Sequence, residues 1–518
     1  MKLGIDFGTT RIVAAASDRG NFPVINFETP EGGSHDWFPP LVAARGDEIL
    51  YGWNAWAARQ DPDVTAVRSL KRVLADSGPN TTIRIGECTA PLLELLTGIA
   101  EAFRLALREA STLDLTPGDQ FEVMLGVPAN ANSNQRFLTV EAFRSAGFDV
   151  LGLLNEPSAA SIEFGHHHHD RRKTKDRILV YDLGGGTFDA SLVEFSENSH
   201  AVIATESIAS LGGDDFDIVL AEMACSRTDL TQAEIFLLHE ECRQKKESLN
   251  PNTRKIAVDL DAVREGLGSV VIPIAEYYER CSAMLEETLR AVDNLIAGED
   301  SLEAFYVTGG GSELPLVARE LRERYGRRVR RSAYTRSATA IGLAIQACDQ
   351  SGYELRERFT RYFGVWRESD NGRVMHFDPL FPKGLELPRP GEQPHRQGRQ
   401  YGPVHNIGHF RYIECSHLDQ WGQPAGDITV WDEIYFPFDP ALKNVETLAG
   451  RAVVHIHAGQ QAEERYSCDS AGTVMVTISN LTCSYSREYK LGRWAGKESI
   501  IVPGGKQLDP APKLSSAG

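Results

Sequence analysis

The chain has 518 residues, enough for about three domains at roughly 150 residues each and for more than one sizeable core. Its formal charge of −18 argues against coating a polyanion, because nucleic-acid binders carry the opposite excess of Lys and Arg to neutralise phosphates. At 42% hydrophobic and 24% charged residues, it has the composition of an ordinary folded protein, neither disordered nor fibrous.

The start, Met1 to Asp6, puts an acid where a secretory leader needs its apolar stretch. No apolar run approaches bilayer-crossing length. The eight cysteines are scattered and form no CxxC pair, which speaks against a zinc site or a disulfide scaffold. A soluble, cytoplasmic protein with reduced thiols is expected.

Short apolar runs at Leu3–Ile5 and Ile12–Ala16 flank a Gly-Thr-Thr turn and predict a hairpin. Leu92, Leu96, Ile99, Phe103, Ala106 and Ala110 fall at helical spacing, ahead of Thr116-Pro117-Gly118. Phe121–Val127 predicts a buried strand, and Ile178–Asp182 pairs with Phe188–Phe195 across a glycine-rich turn. Tyr277–Ile296 predicts a helix with Cys281, Leu285, Leu289 and Val292 on one face, followed by strand Phe305–Thr308 and helix Leu316–Tyr325. After about Ser351 the texture changes. Prolines cluster from Pro379 to Pro403, and strand-like alternation marks Asp427–Phe436, Arg451–Ala458 and Thr473–Ser479. Phe436-Pro437-Phe438 reads as a strand end in a β-sandwich core rather than a recognition patch. The run His166–His169 reads as a solvated loop rather than a metal site. Residues 1–350, 351–497 and 498–518 are therefore taken as an α/β domain, a β-rich domain and a loose tail.

An internal echo carries more weight than any single element. Leu3 to Thr10 and Leu179 to Thr187 are each a strand ending in Asp, then a Gly/Thr turn, then a second apolar strand. Glycines let successive amide N–H groups turn toward an anion, Thr hydroxyls add donors, and the Asp supplies a hard oxygen toward magnesium. No GxxxxGK[ST] loop and no GxGxxG after a strand occurs. One such turn alone would be a tight hairpin. Two, each headed by Asp6 or Asp182, favour phosphate binding between related lobes. Gly309-Gly310-Gly311-Ser312, after a strand and before a helix, is a third place where a ligand could approach the backbone closely.

Five stretches in order resemble the DnaK-type heat-shock chaperone family: Leu3–Thr10, Asn155–Ala160, Asp182–Asp189, Gly212–Asp217 and Gly309–Pro315. The resemblance covers about Met1 to Cys348, the family's ATPase domain. It implies an α/β, actin-like pair of ribonuclease-H-like lobes followed by a smaller β-rich domain. It also implies ATP/ADP and magnesium as cofactors, with potassium as a further cation. Asp6, Asp182 and Asp189 would hold the metal, mostly through water. Gly8, Thr9, Thr10, Arg11, Gly184, Gly185, Gly186, Thr187, Gly212, Gly213, Asp214, Lys246, Gly309, Gly310, Gly311 and Ser312 would bind the nucleotide. Lys71 would position the attacking water, with Glu156, Asp182 and Thr187 completing the catalytic contacts. Pro128 and Arg136 match positions that relay nucleotide state between domains.

The sequence also departs from the family. Arg243 stands where a Glu contacts ribose, Glu247 and Glu313 stand where Arg lies over adenine, and Arg336 replaces an Asp. The phosphate end is expected to be intact and base recognition altered. The family's apolar linker is here the charged Glu354-Leu355-Arg356-Glu357-Arg358-Phe359, which gains little from docking in an apolar groove. Pro379–Pro388 faintly resembles the start of the family's substrate-binding domain, and a lidless site is expected to hold peptides briefly.

The leading reading is a slow, ATP-hydrolysing chaperone or chaperone-derived regulator that couples ATP to a protein client. Its partners would include a J-type co-chaperone or exchange factor, with no nucleic acid and no membrane. The alternatives are a nucleotide-sensing module with one dedicated partner, or a small-molecule kinase of the actin-like superfamily.

Overall fold

Strand Lys2–Phe7 is buried along most of its length and pairs antiparallel with Ile12–Ala16, in register Asp6 to Val13. Its other edge takes Glu122–Val127 in parallel, which in turn pairs in parallel with Asp149–Asn155. The second sheet repeats the plan. Asp176–Leu183 pairs antiparallel with Phe188–Ser196, in register Asp182 to Asp189, and takes Ala304–Thr308 in parallel on its other edge. Ser199–Ile208 and Val329–Arg331 extend this sheet outward. Each unit thus centres on a hairpin whose first strand ends in Asp, as the internal echo predicts.

The computed structural model describes residues 1–129, 131–167, 176–196, 199–298, 302–348, 354–355, 358–359, 361–370, 374–389, 391–445, 447–456, 459–492 and 500–501. No helix among the described residues is long and apolar enough to cross a membrane.

Two helices cross between the units. Helix Glu156–His167 is buried through Gly165, and helix Ala338–Ala347 is buried at nearly every position. They touch through glycine: a Cβ on Gly342 would stand 1.8 Å from the Ala159 carbonyl oxygen. Ala338–Ala347 also lies against the first strand, where a Cβ on Gly4 would stand 2.1 Å from the Ala344 nitrogen. The first unit buries Leu92, Leu96, Ile99 and Phe103 of helix Leu92–Glu109, and the second buries Tyr277, Cys281, Leu285, Leu289 and Val292 of helix Ile274–Ile296.

Near the far end of the first crossing helix, Glu163 is 2% exposed. It accepts a hydrogen bond from Tyr306, and His167 Nε2 lies 3.3 Å from its other oxygen. Burial pushes its carboxyl up to about 7, against a smaller lowering by Tyr306. As pH rises from about 4.5 toward 7, the unfolded chain loses this proton first, so stability falls by up to about 3 kcal/mol over that window. Melting curves of Glu163→Gln between pH 5 and about 8 should lack that part of the slope. Curves parallel to wild type would refute it.

The β-rich region packs two antiparallel four-stranded sheets face to face. One holds Val374–Phe381, Tyr362–Ser369, Ile407–Leu418 and Pro424–Pro437; the other holds His395–Tyr401, Ala462–Cys468, Val474–Asn480 and Tyr485–Lys490. Phe363, Tyr412, Trp431, Phe436, Phe438, Tyr466 and Val476 fill the space between, so Phe436-Pro437-Phe438 belongs to the core. This region rests on the first unit. Arg144 reaches Asp469 at 3.0 Å, Ser470 Oγ donates to the Leu151 carbonyl at 2.8 Å, and Lys490 meets Glu141 at 2.7 Å.

Several expectations change. Arg451–Ala458 is not a strand over its described residues: its pairing stops at one isolated bridge, His455 to His405, with Asn406 N donating to the Val454 carbonyl and Ile456 N to the Val404 carbonyl, and Val453 and Val454 are exposed. Within the segment read as a loose tail, Ile500–Ile501 pairs in parallel with Thr82–Ile83. In the histidine run, His166 and His167 form the last turn of a helix and pack on Phe22 and Tyr334, while His168 and His169 lie outside the described residues. In the charged linker, Glu354–Leu355 hydrogen-bonds to the edge strand at Ser199–His200, and Phe359 stacks on Phe381. Backbone pairing takes the place of apolar docking there; Arg356 and Glu357 lie outside the described residues.

Candidate nucleotide cleft

The two Asp-headed turns meet face to face. A Cβ on Gly185 would stand 2.6 Å from Thr10 Oγ1, and one on Gly186 would stand 2.6 Å from Thr9 Oγ1. Between the units lies a crevice lined by Asp6, Gly8, Thr9, Thr10, Arg11, Lys71, Glu156, Asp182, Gly184, Gly185, Thr187, Gly213, Asp214, Lys246, Gly309, Gly310 and Gly311. Sequence reasoning had named these as site residues, but not Val13, Thr335 and Thr339, which also line the crevice. Gly186, Gly212, Ser312 and Asp189 are placed just behind that lining. Gly186 abuts Thr9, and Gly212 leaves no room for a Cβ against the Gly185 backbone. Ser312 Oγ donates to the Gly309 carbonyl at 2.6 Å, which pins the third glycine turn. Asp189 is 2% exposed and accepts from the Ala129 amide at 3.1 Å and from Ser207.

Lys71 enters from a 3-10 turn, Leu70–Val73, which follows Ser69 in the left-handed region at φ 63. Its Nζ lies 2.6 Å from Glu156 Oε1, and both residues are 8% exposed. Glu156 opens the crossing helix, directly after strand Asp149–Asn155. Burial works against the Lys71 ammonium, but Glu156, Asp6 and Asp189 outweigh it and raise its pKa. The carboxyls move up as well. Burial and Glu156 push Asp6 to about 7 and Asp189 to about 6, and they raise Asp182 well above its ordinary range. Around one lysine, then, stand four carboxyl groups, those of Asp6, Glu156, Asp182 and Asp189, of which the last three are buried. A bound cation would favour their ionised forms. Among the described residues no group of three or more His, Cys, Asp or Glu side chains is placed to hold a metal ion directly.

At the opposite end, Lys246 Nζ donates to the Gly213 carbonyl and pairs with Asp217 at 2.7 Å. The side wall holds residues that sequence reasoning missed. Arg68 pairs with Asp214 at 3.3 Å and with Glu240, Ser69 Oγ donates to Asp214 at 2.6 Å, and Arg72 meets Asp215 at 2.6 Å. These contacts join the first unit to the second beside Lys71. The available signal was complementary charge, Arg68-Ser69-Leu70-Lys71-Arg72 against Asp214-Asp215, separated by too many residues to pair by inspection. Pro128 precedes the loop that bonds Asp189, and Arg136 Nη2 donates to Asn155 Oδ1 at 2.7 Å, one residue from Glu156.

Residues 115–359 match the family model described as Hsp70 protein. A "Chaperone protein HscA homolog" from Aliivibrio salmonicida (strain LFI1238) is 30% identical over 371 residues, 67% of this chain and 58% of that protein. "Chaperone protein HscA" from Klebsiella pneumoniae (strain 342) is 30% identical over 367 residues, 66% of this chain and 57% of its own length. A homologue from Colwellia psychrerythraea (strain 34H / ATCC BAA-681) is 28% identical over 367 residues, with the same two shares. The chain spans a little under three fifths of the length of these relatives. Since the family match runs from before the Glu156 helix, through both glycine turns of the second sheet, to the end of the second crossing helix, the chain belongs to the Hsp70 family.

Proposed function

We propose that this chain is an ATP-hydrolysing chaperone, or a regulator derived from one. Its two units would be actin-like, ribonuclease-H-like lobes (residues 1–350), and its β-rich region (351–497) would hold a protein client. The observation that carries the reading is the buried Lys71–Glu156 pair, set among Asp6, Asp182 and Asp189 where the two glycine turns meet. In this reading the amides and hydroxyls of Gly8–Thr10 and Gly184–Thr187 cradle the phosphates, Lys246 and Gly309–Gly311 face the nucleoside, and Gly212–Asp214 back the turn. Asp6, Asp182 and Asp189 would hold hydrated magnesium, which would supply positive charge beside the phosphates, and potassium would fit the same acidic surroundings. Lys71 holds the attacking water by hydrogen bonding, oriented by Glu156, and Thr187 donates toward the transferred phosphoryl group. Little covalent chemistry is asked of the protein; placement and charge do the work.

Calorimetric titration with Mg·ATP, followed by assay of phosphate release, tests this directly. Saturable binding with slow turnover is expected, and a chain that neither binds nor cleaves ATP refutes the reading. Suppression of aggregation of an unfolded protein, with and without a J-type partner or an exchange factor, tests the client-binding part separately. The charge-swapped nucleoside end favours a second reading, a nucleotide sensor with one dedicated partner. Tight binding without turnover would select it.

A further inference from the structure

The nucleoside end of the crevice is bridged by side chains whose charges are reversed from the family pattern, and they form one connected knot. Arg11 follows the first glycine turn and belongs to the first unit, while Glu247 ends helix Gln232–Glu247 of the second. Arg11 Nη2 donates to Glu247 Oε2 at 2.6 Å, across the crevice. Arg336 Nη1 reaches the same oxygen at 3.5 Å, and Arg243 Nη1 reaches the other at 3.4 Å. One carboxylate therefore gathers three guanidinium groups from both sides of the opening, and burial does not prevent them from holding its pKa down to about 2. The arginines are themselves fixed. Arg336 donates twice to Glu313, at 2.8 and 2.6 Å, and Arg11 lies 5.1 Å over the ring of Trp37.

We propose that Glu247 is the catch of a gate over the nucleoside end: it positions the three arginines, and its bond to Arg11 must open each time a nucleotide enters or leaves. The proposal rests on the nucleotide-cleft reading and adds to it the step that limits exchange. Arg11 and Glu247 are 13% and 30% exposed, so the bond is partly desolvated yet still within reach of ions. A bond so placed is weakened by added salt, and its contribution exceeds that of an isolated surface pair because three cations share one anion.

The test uses the full chain and a fluorescent ADP analogue in stopped flow. Glu247→Gln should release the analogue about tenfold faster, equivalent to roughly 1.4 kcal/mol in the barrier. It should also lose the acceleration by salt that the wild type shows. Arg11→Gln should also speed release, and the double variant should be no faster than Glu247→Gln alone, because that variant already lacks the Arg11 bond. A separate measurement needs no nucleotide: spin labels on the two units of the ligand-free chain should report wider separations in Glu247→Gln. Unchanged release from a chain that binds the analogue, or unchanged separations, overturns the gate. A wild-type chain that does not bind the analogue overturns the nucleotide reading instead, and the separations then decide the gate alone.

Discussion

Lys71→Ala is expected to lower phosphate release from Mg·ATP by at least about 100-fold, the scale found when a fixed donor is removed from a charge-stabilising site. The argument begins with placement. Lys71 is 8% exposed, is held at 2.6 Å by Glu156, and lines the crevice together with Asp6 and Asp182. Its removal takes an ammonium that lowers the pKa of Asp6, Asp182 and Asp189, so these carboxyls would rise further and take up protons. Stability would fall too, by roughly 3 kcal/mol, because Glu156 would be left buried without its partner. Melting curves separate this loss from the catalytic one. A double variant, Lys71→Met with Glu156→Gln, removes both charges; it should recover stability but not turnover. Turnover retained in either variant would show that Lys71 does not serve the reaction.

Gly342→Ala should be the most damaging of the small substitutions. The added carbon would stand 1.8 Å from the Ala159 carbonyl oxygen, inside backbone that has no side chain to swing away. The two crossing helices would have to separate, and a destabilisation above about 3 kcal/mol is expected, or an insoluble product. Gly118→Ala is the control: nothing lies within 4 Å of its new carbon, and stability should stay within about 0.5 kcal/mol of wild type. Equal melting temperatures for the two variants would mean that the crossing is looser than these distances state.

What could be read in the sequence was what repeats at short range. The two Asp-headed hairpins, the buried helices at Leu92 and Tyr277 and the third glycine turn all have local signals of period or turn chemistry, and each stands where it was expected. Lys71 was different. Its 3-10 turn has no apolar period, and it follows a small sheet of Val42–Arg45, Glu48–Tyr51 and Val64–Val67 that local pattern did not resolve. The ion pairs of Arg68 and Arg72 likewise depend on partners more than 140 residues away. Arg451–Ala458 shows the reverse error: alternation alone predicts a strand, but its pairing with Val404–Asn406 extends no further than a single bridge. Ile500–Ile501 found a neighbour at Thr82–Ile83 despite a proline-rich setting.

The path of the chain between its regions has a mechanical consequence. The backbone at Glu354–Leu355 is stitched to the rim of the second sheet, yet the β-rich region it leads into leans on the first unit through Asp469, Ser470 and Lys490. The polypeptide is therefore anchored on the second unit before the β-rich region and on the first unit within it. Any widening between the two units would load either the few bonds at Ser199–His200 or the Arg144–Asp469 foothold.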